Sequence, residues 1–411
     1  GRLTITNNDV LTSLAGLDSL DPRGISQLYI SYCQKLAECN SQVICNYLDH
    51  GGPFVILGNA PGCQNAGEVA QACGLAGFCA PYNLTLISQN EVDSFPQKYP
   101  ECSRILGQLN IGEWNENTDI TNLGILQQIT SVGHLTIRNN PSLESLTGLE
   151  NLEAIRGYFS ILNNPLLLTL SDLTSLEQID RVTIERNESL KTLGFPGLKS
   201  LGSVIIDGNN ALADLSGLDS IRMLNSLYLD NNPGLTKLTG LQNLASVRSI
   251  PEITRHPNLK SLQGLSALQH IGSRFRVIDN ASLEDLQGLE NLSSVKGHVN
   301  IEGNNSLVNM QGLQNLDSIH ASFSLLQNQA LKSLEGLGSL QHVGFLCDIS
   351  ENDSLQSLRG LQSLSSVDYL TIAENPSLPS LAGLERLDSL VDIIVKGNYA
   401  LSTLSGLDSV S

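Results

Sequence analysis

The chain of 411 residues is 41% hydrophobic but only 4% aromatic, so its length calls for a large core built from Leu and Ile rather than from stacked rings. Its 23 Lys plus Arg against 41 Asp plus Glu give a net charge of -18, which repels phosphate backbones and anionic membranes and argues against a nucleic-acid partner. No apolar run approaches the roughly 18 residues of a membrane span and no signal peptide opens the sequence, so membrane insertion by this segment is not expected.

The opening "LTITNNDVLTSLAGL" sets Leu3, Ile5, Asn8, Leu11, Leu14, Gly16 and Leu17 in the frame of a coil. A second coil starts at Leu28 and Ile30 with Cys33 where Asn8 stood, and a third strand holds Phe54, Ile56 and Asn59. Between them, "CNSQVICNYLDHGG" predicts a short helix started by Asn40 or Ser41 and stopped by Gly51 and Gly52. Asn65-x-x-Glu68 predicts a second helix ended by Gly74, in the manner of a capping box. Residues 1–78 therefore read as the C-terminal coils and Cys-rich helical cap of one module, because a helix laid over the last coil shields its strand edge.

Residues 79–411 read as a second module. Its N-terminal cap, 79–108, contains a helix started by Ser88-x-x-Glu91, then Cys102, and leads through Ile105, Gly107, Leu109 and Ile111 into the first coil. Seven of the eight Cys lie between Cys33 and Cys102. No C-x2-C pair occurs and only His50 accompanies them, so disulfides made in an oxidising compartment are expected rather than zinc. Cys39, Cys45, Cys63 and Cys73 should form two bridges, and the sequence permits three pairings. Cys33 has no evident partner, while Cys347, at an inward strand position, should be a free buried thiol.

From residue 135 the repeat is explicit: "LTIRNNPSLESLTGLENLEAI" reads L-x-I-x-x-N-x-x-L-x-x-L-x-G-L-x-x-L-x-x-I. Its Asn recurs at Asn140, Asn164, Asn187, Asn209, Asn232, Asn280, Asn304, Asn328, Asn352, Asn375 and Asn398, with His256 taking one place. The L-x-I element has period two and is the strand, with Leu135 and Ile137 inward and Thr136 and Arg138 outward. The Gly that recurs at positions such as Gly148, Gly240 and Gly312 indicates positive φ or close backbone approach and weighs against a helix. The predicted fold is a right-handed parallel β-helix, a β-solenoid of about thirteen leucine-rich coils with short capping helices. The Asn column should be structural, its amides bonding the backbone at each corner. Its sequons at Asn187, Asn280, Asn304 and Asn352 are then incidental, and Asn83 and Asn291 are the better glycan acceptors.

No catalytic motif is present, and the scattered His are not expected to converge, so no enzyme activity is expected. Acidic residues after the Gly-Leu step, such as Glu150, Asp219 and Glu290, should be solvated. No cofactor is expected, with Ca2+ the one ion that such a surface could attract. Candidate ligand-binding residues lie on the outward strand row: Tyr228, its only aromatic, with Asp230, Glu252 and Arg276 beside it. Trp114, the sole Trp, is a second candidate, in the loop "EWNENTDITNL".

The segment from Cys79 to Trp114 resembles the N-terminal cap of receptor L domains, the ligand-binding β-solenoids of the epidermal growth factor and insulin receptor families. That resemblance implies a bond between Cys79 and Cys102. With "ICNYL", "NAPGC" and the "EV" helix, the chain is similar also to L-domain-like leucine-rich repeat proteins that gliding bacteria secrete through the type IX system. No kinase, membrane span or furin-like spacer accompanies the fold, so receptor signalling is not implied. The sequence reads as a segment of a longer secreted or cell-surface protein. The expected roles are an adhesin or structural part of a surface fibre, with other protein chains, itself or glycans as partners, or else a receptor-like module using the outward strand face.

Overall fold

The structure is a computed structural model that describes residues 1–50, 54–79 and 83–410, with the backbone alone for His50; Gly51 and Gly52, the predicted helix stop, lie outside them. The fold is a parallel β-solenoid of about 16 turns with few helices. Two compact units make it up: Gly1–Thr183 with Phe195–Leu198, and Ile184–Gly194 with Lys199–Ser411.

In the first unit, β1 (Arg2–Thr6), β2 (Gln27–Ser31) and β3 (Phe54–Leu57) pair in parallel, so that Ile5, Ile30 and Ile56 stack in one inward column. Helix α1 (Gln42–His50) begins where Gln42 N–H donates to Asp18 Oδ1 at 3.0 Å, so the capping acceptor comes from the preceding coil and not from Asn40 or Ser41. Helix α2 (Ala66–Ala72) is capped by Asn65, whose Oδ1 accepts from Glu68 N–H at 3.0 Å. The Glu68 carboxylate does not close a box on the Asn65 N–H; it accepts from Gly62 and Gln64 and so pins the turn before the helix. Next come β4 (Leu84–Leu86), α3 (Gln89–Asp93), capped by Ser88, and α4 (Phe95–Lys98). The long strands β5 (Arg104–Ile111), β6 (Ser131–Arg138) and β7 (Ala154–Leu162) follow in parallel register.

Three disulfides join Cys39 to Cys63, Cys45 to Cys73 and Cys79 to Cys102. Cys33 and Cys347 are free and buried. Burial pushes the Cys347 thiol up to about 12. Cys33 sits where other coils carry Asn: its Sγ accepts from Asn8 N–H at 3.4 Å, and its own N–H donates to Asn59 Oδ1 at 3.0 Å.

Strand β8 (Gln178–Glu185) is the last long strand before the second unit proper. There β9 (Ser200–Asp207), β10 (Met223–Asp230) and β11 (Ser246–Thr254) are single long strands. The next three coils split each strand into a two-residue piece, β12 (His270–Ile271), β14 (Ser294–Val295) and β16 (Ser318–Ile319), and a four-residue piece, β13 (Phe275–Ile278), β15 (Val299–Glu302) and β17 (Phe323–Leu326). A three-residue bend separates the two pieces. Strands β18 (His342–Ser350), β19 (Ser366–Ala373) and β20 (Asp392–Lys396) complete the parallel ladder.

The frame of inward residues shifts at β11. Ile250 fills the core position, and the register slips between Ser226 and Tyr228 of the neighbouring strand. Pro251 is the extra residue of a β-bulge, the place in a ladder where a missing N–H costs least.

The Asn column is fully buried from Asn140 to Asn375, apart from the His at 256, itself buried. Each amide serves three neighbours. Asn304 Nδ2 donates to Val277 O at 2.9 Å and to Glu302 O at 3.0 Å, while its Oδ1 accepts from Asn280 N–H at 3.1 Å. An amide is suited to this because it is donor and acceptor at once. The four sequon asparagines of the column are therefore closed to a glycosylating enzyme, whereas Asn83 and Asn291 are exposed.

The recurrent Gly meets both conditions expected of it. At Gly312, φ is +112° and a Cβ would lie 2.0 Å from Leu286 O in the preceding coil. Two frame glycines depart from this: Gly197 has no positive φ but a Cβ there would lie 2.8 Å from Thr174 O, and Gly16 has neither a positive φ nor any atom that a Cβ would meet. The acidic residues after the Gly-Leu step are not simply solvated. Glu150, Asp219 and Glu290 accept from the N–H of Gly148, Gly217 and Gly288 at 2.9 Å, and Gln242 and Gln314 do the same for Gly240 and Gly312. The turn leaves that N–H without a backbone acceptor, and a carboxylate or amide two residues later supplies one.

Candidate functional site

The second unit brings together Tyr228, Asp230, Glu252 and Arg276 on the outward face of β10, β11 and β13. Tyr228 and Glu252 are register partners. Their charges are spent on one another and on neighbours. Arg255 clamps Asp230, with its Nε at 3.0 Å from Oδ1. Arg276 pairs with Glu252, which also accepts from Thr254 Oγ1 at 2.8 Å, and Tyr228 OH donates to Asp230 Oδ2 at 3.3 Å. Asp207 and Glu185 extend the acidic column. Burial holds both carboxyls above their usual range, and the neighbouring carboxylates, Asp230 for Asp207 and Asp207 for Glu185, push in the same direction.

Trp114 lies in the first unit and is 68% exposed. One ring face covers the Arg138 guanidinium, whose carbon lies 3.4 Å from the ring centroid. Arg138 is itself buried and donates from Nη2 to Asn110 Oδ1 at 2.8 Å. The Trp114 loop is fastened through Asn139, whose Nδ2 donates to Glu113 O at 2.6 Å and to Trp114 O at 3.1 Å. Trp114 thus packs its loop onto the first coils while presenting its outer face to solvent.

Sequence reasoning did not find the groove that the second unit opens beside β10, β11, β12 and β14. Its volume is about 720 Å³. Leu224, Val247 and Ile271 align in register beneath it as part of the core, and Met223, Ser246, His270 and Ser294 align as the adjacent outward row. Arg248 and Lys296 stand on the other side of that apolar row, together with Asn225 and Gly272. No Asp or Glu lines the groove. Met223, Arg248, His270 and Lys296 are all exposed. Two bends, Gly272–Arg274 and Lys296–His298, interrupt the strands here, and Gly272 and Lys296 from them line the groove. Close packing at the bend requires Gly297, where a Cβ would meet Ser273 O at 2.3 Å.

The His lie in separate coils. Of seven His, four (His270, His298, His320 and His342) lie in consecutive coils along this one edge. His270 and His342 occupy the same register column, and each Nδ1 meets the next coil's Ser Oγ, at 3.1 Å for Ser294 and 2.7 Å for Ser366. His134 stacks on Tyr158 at 3.9 Å. His256 takes the column place between Asn232 and Asn280: its Nδ1 accepts from Asn232 N–H at 3.2 Å, its N–H donates to Asn280 Oδ1, and burial lowers it to about 4. Among the described residues no group of three or more His, Cys, Asp or Glu is placed to hold a metal ion, and no helix is long and apolar enough to cross a membrane.

No curated protein matches the chain. Among solved structures, the crystal structure of a TLR13–ssRNA13 complex is similar at 15% identity, over 99% of this chain and 75% of that chain, with a TM-score of 0.22. Residues 101–224, which carry the long strands from β5 to β9 and the start of β10, match the family model of the receptor L domain, so that this stretch of the leucine-rich solenoid is receptor L domain-like.

Proposed function

We propose that the chain is a non-enzymatic, extracellular binding segment, displayed on a cell surface as an adhesin or released as a receptor-like module. The observation that carries this reading is the contrast between two faces of the second unit. The outward strand face around Tyr228 neutralises its own charges, whereas the groove beside Met223 leaves cations unspent above an apolar floor. A largely preformed concavity with a few convergent polar groups is the usual form of a ligand site. Three disulfides and the match to a receptor L domain over residues 101–224 support an extracellular setting.

The test is a panel of soluble glycans and extracellular proteins applied to the immobilised chain, run beside light scattering over a wide concentration range with and without calcium. Saturable binding by a monomer is expected. Absence of any ligand together with growing polymers would overturn the binding reading in favour of a stiff fibre segment.

A further inference from the structure

We propose that the groove lined by Met223, Arg248, His270 and Lys296 binds an acidic polysaccharide, held by its carboxylate or sulfate groups; this rests on the binding-module reading above. The chain carries a net charge of -18, yet its groove is lined by Arg248, Lys296 and His270 with no carboxylate among the lining residues. Among the described residues neither Arg248 nor Lys296 makes an ion pair. Exposed cations with no carboxylate beside them make a local positive patch on an acidic molecule, and an anionic ligand can pair with them through charge-assisted hydrogen bonds.

The spacing fits a chain ligand. Register sets Val247, Ile271 and Val295 side by side, so Arg248 and Lys296, one residue beyond the first and last of these, stand two strands apart. That is about 10 Å, the scale of two linked sugar rings. Ser246 and Ser294 offer hydroxyls along the same line, and Met223, 70% exposed, offers an apolar surface for the C–H face of a ring. Nucleic acid fits less well, because no aromatic residue lines the groove for base stacking.

The experiment is calorimetric or interferometric titration of the full chain with polygalacturonate, dextran sulfate and neutral dextran at low and moderate salt. At least one acidic chain should bind and dextran should not, and the preferred acid identifies carboxylate or sulfate as the source of charge. Arg248→Ser with Lys296→Ser should weaken binding at least 10-fold, and Met223→Glu, which puts a carboxylate into the groove, should weaken it as well. Lys332→Ser, which removes an exposed cation outside the groove, should leave it unchanged. The proposal is overturned if neither acidic chain binds, if dextran binds as tightly, if the groove variants bind like the parent, or if a single-stranded oligonucleotide binds more tightly than either polysaccharide. Those results leave the module reading standing wherever the ligand panel has found a different partner.

Discussion

Between residues 39 and 102, coils are tied to one another by covalent bonds: the three disulfides span 24, 28 and 23 residues. Between residues 280 and 352 a similar separation, 24 each time, recurs as hydrogen bonds from one column Asn to the next. Both regions thus carry cross-links over about one coil length of chain. Where helices interrupt the repeat and Cys33 displaces an Asn, the core is shared among fewer coils, and sulfur bridges restrain the chain. Where the repeat is regular, buried amides and leucines are enough. Disulfides here substitute for periodicity.

The comparison can be broken hardest at the recurrent glycine. Gly312→Ala puts a Cβ against Leu286 O at a positive φ, and a loss of about 3–5 kcal/mol is expected in urea unfolding. A midpoint equal to the parent's would show that coils spread freely. Replacing Cys45 and Cys73 together by Ser opens a 28-residue link and should cost about 3–4 kcal/mol. Hydrogen exchange should confine the new opening to residues before β5, and spreading of that opening into residues 280–352 would deny that the two regions are tied independently.

The exception within the regular region sharpens the contrast. His256 has a folded pKa of about 4, below the ordinary 6.5, so its contribution is present above pH 6.5 and is lost as pH falls toward 4. The acid-side loss is about 3 kcal/mol at most. Asn at that position restores the column, so His256→Asn should remove this pH dependence between 6.5 and 4, as thermal melts at several pH values would reveal. The smallest effect is expected at Asp207. Its carboxyl is held above the usual range, so the ionised form is disfavoured by folding, and Asp207→Asn should raise the melting temperature at pH 7 by about 1–2 °C. That gain should vanish as pH falls below the unfolded carboxylate pKa, and a gain independent of pH would assign the effect to something other than charge.

Much of this was legible in the residues. The Leu frame, the Asn column and the recurrent Gly are periodic, and periodicity is what a solenoid writes into its sequence. The cap at Asn65 was legible for the same reason, as a local pattern with a local cause. The Ile250 register was not, because a bulge at Pro251 depends on the strand beside it. The roles of Glu150 and Asp219 were missed because an exposed acid two residues after Gly looks like any solvated acid until the orphan N–H is seen. The groove was hidden for a different reason: Arg248, His270 and Lys296 come from separate coils, and the frame position that Arg248 and Lys296 share, one residue after the inward Val, carries a mixture of Gly, polar and charged residues in the other coils.

The Asn column has a consequence for how such a chain can change. Column residues are 22 apart between Asn187 and Asn209, 23 between Asn209 and Asn232, and 24 between Asn280 and Asn304, yet the hydrogen bonds at that edge are alike. The edge acts as a fixed datum, and differences in coil length are absorbed between the other inward positions: Leu193 and Phe195 are two apart where Leu146 and Leu149 are three, and Leu201 and Val204 are three apart where Ile271 and Phe275 are four. Insertions and deletions of one or two residues should therefore be tolerated at Gly272–Arg274 and rejected at Asp279–Asn280. The surface most open to length variation is the groove itself, so a lineage or an engineer could reshape what it holds by adding or removing single residues, with the core and its amide column left intact.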